Sequence, residues 1–394
     1  MRIMSPGACV LILGMSLMLP SGMVQGQTIN HKLEPYLKSG ELPAVAAAVV
    51  ERGTITEFGA VGTRKLGADI PVTIYDKFHL GSDTKAMTAT IAGMMIEEGK
   101  LKWDSTLGDV FPELKDSMGK DVEKVTLEQL LSHTSGMRAD DANFMELLKN
   151  SFDVDGDLNE LRYWIVKESV KLPLVAKSGD AWAYNNRGYT IAGAMIEKVS
   201  GKPWDELIVE RIFEPFQLTT AGLGCQSSLG KIDAPLGHVK QKDGSIKSYM
   251  AGPNADNHPV LGPAGIAHLS ILDLATWAGW NAGNGMRAPC NIVSPQMVEK
   301  IHSPVFTIKS DKPHRPGTPP DGQYAHGWGW VSVDWAPYPL LYHGGSNGKN
   351  LAQVWIDKKK DIAIVIMTNI SNPKADATLR EIAKELYEDA TAGY

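Results

Sequence analysis

Ala44-Val45-Ala46-Ala47-Ala48-Val49-Val50-Glu51-Arg52-Gly53-Thr54-Ile55-Thr56-Glu57-Phe58-Gly59-Ala60-Val61 is the stretch that decides how the chain folds. Small and β-branched residues run from Ala44 to Val50, Glu51-Arg52-Gly53 reads as a turn, and Thr54 to Val61 resumes an extended run, which predicts a β-hairpin. A second hairpin is written near the other end, where Leu351 to Ile356 and Ile362 to Thr368 flank a polar tip from Asp357 to Asp361. Asn372-Pro373 then starts a helix that puts Leu379, Ile382, Ala383 and Leu386 on one face. Between these ends the pattern turns helical: Leu127 to Leu131, Phe144 to Lys149, Leu161 to Val170, Tyr189 to Val199 and Trp204 to Phe213. Strand signals are few there. The expectation is an α/β (α+β) fold, in which the chain ends build one antiparallel sheet flanked by helices and the middle forms an inserted, mostly helical lobe. The divisions that follow are 27–85 with 262–394 for a discontinuous sheet domain and 86–261 for the helical one, with Gly262-Pro263-Ala264-Gly265 as the point of return. Ser303 to Gln323, rich in Pro and Gly, reads as a long loop placed to overhang a cleft.

The 394 residues are 43% hydrophobic and 21% charged, an ordinary globular composition. A net charge of -6 spread along the chain argues against nucleic acid as a partner, because a phosphate backbone selects a strongly basic face. Residues 1–26 read as a signal peptide: Arg2 is a minimal positive start, Cys9 to Leu19 an apolar run, and Val24-Gln25-Gly26 a small-x-small cleavage site. Export to the periplasm or the medium is therefore expected, with no stable membrane span after cleavage, since no other segment is long and apolar enough. Of the three cysteines, Cys225 and Cys290 would remain, and spacing alone leaves their pairing open.

The chemistry is carried by three separated motifs. In the first, Lys85 follows Ser82 by one helical turn, so both side chains leave one face, and Met87, Ile91, Met94 and Met95 form an apolar stripe up to a stop at Gly99. A hydroxyl at a helix N-terminus has free N–H groups beside it that stabilise developing negative charge, and the same positive end helps a lysine lose its proton. Taken alone, S-x-x-K is weak: Ser117, Ser228, Ser346 and Ser371 also precede a lysine by three, but glycine or proline interrupts each. Second comes Tyr184-Asn185-Asn186, the one Y-x-N of the chain, whose phenol can serve the serine and leaving group and whose Asn186 amide can hold a substrate carbonyl. Standing alone it would read as a loop tyrosine before an Asn helix cap. Third is His343-Gly344-Gly345, two glycines that would let a substrate lie against a strand edge.

Competing motifs fail on context. Gly344-Gly345-Ser346-Asn347-Gly348 fits the nucleophile-elbow pattern, but a β-hairpin follows where a helix is needed and no His comes later. Asp153, Asp155 and Asp157 lack the glycine and bidentate acid of a calcium loop, so they read as a solvated acidic loop. Among the ten His there is no H-E-x-x-H or paired ligand spacing, so neither metal nor other cofactor is implied, and His133 reads as ordering a turn.

Ser82-Asp83-Thr84-Lys85, Tyr184-Asn185-Asn186 and His343-Gly344-Gly345, in that order, resemble the class C β-lactamase and D-alanyl-D-alanine carboxypeptidase family, including its esterase relatives. Leu130 to Gly136, Ala183 to Val199 with Ser200-Gly201-Lys202, Pro263-Ala264-Gly265 and Tyr324 to Trp330 belong to the likeness, which covers nearly all of the mature chain. The resemblance implies that Ser82 attacks a carbonyl, that Lys85 and Tyr184 manage its proton, that Asn186 touches the acyl side, and that the backbone N–H groups of Ser82 and Ser346 form an oxyanion hole. It also implies a sheet domain beside a helical lobe with the site between. β-Lactamases of this family carry Lys, then Thr or Ser, then Gly where this chain has His343, Gly344 and Gly345. The expected grip on a β-lactam carboxylate is therefore weaker. Asn185 replaces the usual serine. The implied substrates are small esters or amide and peptide bonds of D-amino acids, with β-lactam hydrolysis as the alternative and a catalytically silent binding protein as a second.

Overall fold

The hairpins from the two ends of the chain lie side by side. The computed structural model describes residues 26–252, 255–288, 292–309 and 314–393. Its main sheet contains β1 (Gln27–Thr28), β2 (Ala44–Glu51), β3 (Thr54–Gly62), β4 (Phe306–Ile308), β5 (Gly322–Tyr324), β6 (Gly329–Val331), β7 (Leu340–Ser346), β8 (Leu351–Asp357) and β9 (Ile362–Thr368). Their order is β1-β3-β2-β9-β8-β7-β6-β5-β4. β2 and β9 join the ends of the chain, from Glu51 opposite Ile362 to Val45 opposite Thr368. Neighbouring strands are antiparallel except β1, which runs parallel to β3. The expected signal peptide, apart from Gly26, lies outside the described residues, as does Cys290 and with it any pairing to Cys225.

Alternation along β2 sends Val45, Ala47 and Val49 to one face and Ala46, Ala48 and Val50 to the other. The first face packs on α1 (Asn30–Ser39) and the C-terminal helix α5 (Pro373–Thr391) through Leu33, Leu379, Ile382 and Leu386. The second packs on α4 (Ile271–Ala282) and runs into the larger core that holds α2 (Thr84–Glu97) and α3 (Asn186–Ser200). Burial on both faces explains why β9 reads Ile-Ala-Ile-Val-Ile-Met with no polar alternation.

Helix α2 differs from expectation. Every residue from Thr84 to Met95 is buried, so the sequence stripe of Met87, Ile91, Met94 and Met95 is part of a helix enclosed on all sides. The helix also runs through the division expected between residues 85 and 86. The middle of the chain contains more extended structure than its pattern announced: Gly237–Lys240 pairs with Ile246–Tyr249, and Ala267–Leu269 joins Phe78–His79 to Gly222–Leu223. Among the described residues no helix is long and apolar enough to cross a membrane.

Candidate active site

Ser82 sits in a tight turn, Gly81–Asp83, that feeds directly into α2. Gly81 has φ +53°, and a Cβ there would run into the backbone nitrogen of Ser346. The Thr84 hydroxyl donates to the Gly81 carbonyl at 2.7 Å and accepts from the N–H of Ala267 at 3.1 Å, fixing the turn against the next layer. Ser82 remains 8% exposed, which leaves its hydroxyl reachable, whereas Lys85 is fully buried.

The three residues singled out in the sequence converge. The Tyr184 hydroxyl donates to Ser82 Oγ at 2.6 Å, and Lys85 Nζ donates to the same oxygen at 3.1 Å. Lys85 Nζ also donates to Asn186 Oδ1 and to the Ala264 carbonyl, both at 2.6 Å, and lies 4.9 Å from the centre of the Tyr184 ring. Burial pulls its pKa down to about 7, against the opposing pull of Asp140 and Asp83. Near neutral pH, a large share of Lys85 is therefore the free amine. Burial pushes the Tyr184 phenol upward, so it keeps its proton in the same range. The site thus pairs a base with an acid on one serine oxygen.

Asn186 does other work than expected. Its oxygen accepts from Lys85, and its nitrogen donates to Asp140 Oδ2 at 2.5 Å, so the amide aims the lysine rather than offering both N–H groups to a substrate. Asp140 is the residue that sequence reasoning missed. Its Oδ1 also accepts the Asn186 backbone N–H at 2.9 Å, at the start of α3, where a carboxylate is favoured. Asn185 caps α3 by accepting from Gly188 N–H at 3.0 Å, and its own N–H donates to His133 Nδ1 at 3.2 Å. His133, at φ +62°, lies in the turn, and its ring packs at a tilt against Tyr184 with the ring centres 4.5 Å apart.

Strand β7 closes the other side. Gly345 faces the serine turn so tightly that a Cβ would overlap the Leu80 carbonyl oxygen and stand 2.7 Å from Ser82 N. Ser346 lies against Gly81, and β8 follows it, so no nucleophile elbow forms. The stretch expected as one long loop, Ser303 to Gln323, contains the edge strand β4 and the start of β5, and Gly317 between them lies over β7, where a Cβ would be 2.6 Å from Ser346 N. A cleft of about 540 Å³ opens beside Tyr184, walled by Asp140, Trp182, Ile308, Arg315 and Pro319.

A model of the β-lactamase family matches residues 29–388. The chain belongs to the β-lactamase family. Penicillin-binding protein 4 of Amycolatopsis lactamdurans is 23% identical over 340 residues, 83% of this chain and 81% of that protein. Protein flp of Staphylococcus aureus (strain NCTC 8325 / PS 47) is 21% identical over 346 residues, 88% of this chain. The chain spans only 63% of the length of flp. Among solved structures, the D-alanine carboxypeptidase AmpC from Burkholderia cenocepacia aligns with a TM-score of 0.67 at 20% identity, covering 91% of this chain and 97% of that one. Membership of the β-lactamase family, with Ser82, Lys85 and Tyr184 brought together, supports a serine hydrolase.

Within the β-lactamase family fold, His343 stands in a different relation to the cleft than its sequence position promised. Its imidazole is fully buried, with Nδ1 3.1 Å from Asp83 Oδ1 and Nε2 3.4 Å from the Tyr324 hydroxyl. An enclosed ring cannot grip a substrate carboxylate directly. The glycines are corrected in the same way. Gly344 is needed because a Cβ would overlap the Tyr342 hydroxyl, and Gly345 because the serine turn presses on it, so protein fills the space reserved in the sequence reading for substrate.

Proposed function

We propose that the protein is an exported hydrolase that cleaves small esters, or amide bonds next to D-amino acids, through an acyl-enzyme on Ser82. One observation carries this reading: a single serine oxygen lies within hydrogen-bond distance of both the Tyr184 hydroxyl, at 2.6 Å, and Lys85 Nζ, at 3.1 Å. The neutral amine of Lys85 takes the Ser82 proton as Oγ attacks the carbonyl carbon. Backbone N–H groups of Ser82 and Ser346 receive the oxyanion. Tyr184 gives its proton to the departing oxygen or nitrogen as the bond to the acyl carbon breaks, and the Lys85 ammonium returns a proton to the phenolate. In the second half a water loses its proton to the same pair and attacks the acyl carbon, and Ser82 leaves and is reprotonated. Cleavage of β-lactams is disfavoured in this reading because Gly344 has no hydroxyl and His343 is buried against Asp83.

The test is a parallel assay of a short p-nitrophenyl ester, a D-alanyl amide and nitrocefin, with fluorophosphonate labelling of wild type and Ser82→Ala. Ester or amide turnover, with labelling lost in Ser82→Ala, supports the reading. Nitrocefin as the best substrate, or labelling that survives the substitution, overturns it.

A further inference from the structure

A carboxylate that takes no part in the chemistry above, Asp256, touches a side chain beside each of the two backbone segments of the oxyanion hole. His79, fully buried, has Nε2 2.7 Å from Asp256 Oδ1. Its Nδ1 accepts the Gly81 N–H at 2.9 Å. A nitrogen that accepts from a backbone N–H carries no proton, so the ring proton of the neutral imidazole sits on Nε2, which is in close contact with Asp256 without being aligned for a hydrogen bond. On the other side, Asn347 Nδ2 donates to the same Oδ1 at 3.2 Å, and Asn347 Oδ1 receives the N–H of Asn350 at 2.9 Å. Gly81 immediately precedes Ser82, and Asn347 immediately follows Ser346. The two segments also meet directly, since the Gly81 Cα has no room for a side chain beside Ser346 N.

We infer that Asp256 is a positioning residue that sets the spacing of the Ser82 and Ser346 N–H groups, holding one through His79 and Gly81 and the other through Asn347. The inference rests on the reading of Ser82 as nucleophile. The physical case is that two N–H groups stabilise an oxyanion only if both reach it at hydrogen-bond distance together, and they belong to segments far apart in sequence. Neighbouring strands and turns bring them near. A carboxylate in contact with His79 on one segment and hydrogen-bonded by Asn347 on the other fixes the remaining freedom, because polar contacts to a charged oxygen are stronger than those to a neutral one. An amide in place of Asp256 keeps its size and could still accept from Asn347 but lacks the charge, so it should act as a partial substitute.

The experiment compares wild type, Asp256→Asn and Asp256→Ala, each checked for a single cooperative melting transition. Hydrogen exchange is followed over residues 79–84 and 344–349, with kcat and KM on a p-nitrophenyl ester. In Asp256→Ala both segments exchange faster together, kcat falls about tenfold or more while KM stays within about twofold, and Asp256→Asn lies between. His79→Gln combined with Asp256→Ala costs less than the sum of the two in log kcat, because both break one link. Unchanged exchange, faster exchange in one segment only, or kcat within about twofold of wild type in Asp256→Ala overturns the inference. Failure of the Ser82 reading looks different: it abolishes the Ser82-dependent labelling in wild type, whereas a failed clamp leaves wild type and variant equally active.

Discussion

The imidazole of His343 is joined to the carboxylate of Asp83, Nδ1 to Oδ1 3.1 Å, with both side chains sealed from solvent. Asp83 is the residue after the nucleophile, so this contact locks β7 to the serine turn. Burial pushes the Asp83 carboxyl upward, against the stabilising pull of His343 and Lys85. Removing the ring leaves a buried carboxyl with its other oxygen already unpartnered. His343→Ala should therefore lower stability by about 1–3 kcal/mol, the usual cost of leaving a buried polar group without its hydrogen-bond partner. Urea unfolding measures this. The companion result is in substrate selection: a carboxylate-bearing ester and its neutral analogue should lose activity by the same factor, and a selective loss of the charged one would restore the idea that His343 grips substrate.

Lys85 is the base only as a free amine, and its pKa is pulled down to about 7 by burial. The protonated fraction falls as pH rises through that value, so kcat/KM should climb along an acid limb with its midpoint near 7 and level off above it. A pH–rate profile from 5 to 9 on a neutral substrate, at about half-unit steps, checks it. A flat profile across this range would leave Lys85 without the role of base.

Asp140 acts on that limb from a distance. It is the first of the charges that favour protonated Lys85, and it also fixes the Asn186 amide whose oxygen receives the amine. Asp140→Asn removes the charge, which disfavours the ammonium form and should move the acid limb to lower pH. Plateau kcat should drop as well, because the amide behind the lysine is less firmly held. A fall in rate with an unmoved limb would mean that Asp140 only supports the start of α3.

The phenol of Tyr184 keeps its proton because burial raises its pKa. Its service is therefore donation, first to Ser82 and then to the leaving group. Tyr184→Phe should cost about a hundredfold or more on an amide or alkyl ester, whose leaving group needs that proton. The loss should be clearly smaller on a p-nitrophenyl ester, whose leaving group departs as a stable anion. Equal losses on both would place the role of Tyr184 in acylation by the serine alone.

The sequence spelled out Ser82 and Lys85 because their relation is one helical turn, and Tyr184 because it opens a short motif before a helix. The sheet was equally legible, since β2, β3, β8 and β9 are long runs closed by polar turns. Asp140 left no such mark: its partner Asn186 is 46 residues away, and only the folding of two loops onto α3 brings them together. His343 was named for its type, yet its direction depends on which face of β7 meets the serine turn, and period-two alternation gives two faces without saying which one is inside. The four-residue strands Gly237–Lys240 and Ile246–Tyr249 are too short to show a period at all.

Gly344 tests whether the glycines of β7 serve packing or substrate. A Cβ at this position would overlap the Tyr342 hydroxyl, which is buried and has no hydrogen-bond partner in its surroundings. Gly344→Ala should therefore destabilise the protein by about 1–3 kcal/mol, the cost of forcing a methyl into a filled site. Tyr342→Phe alone should be close to neutral, because it removes an unpaired buried hydroxyl together with its desolvation cost. In the double variant the hydroxyl that blocks the alanine is gone, so most of the Gly344→Ala loss should return, a coupling visible in a denaturation cycle. Losses that simply add would mean the methyl is resisted by something other than Tyr342. A stable Gly344→Ala with impaired turnover would return the glycine to the substrate.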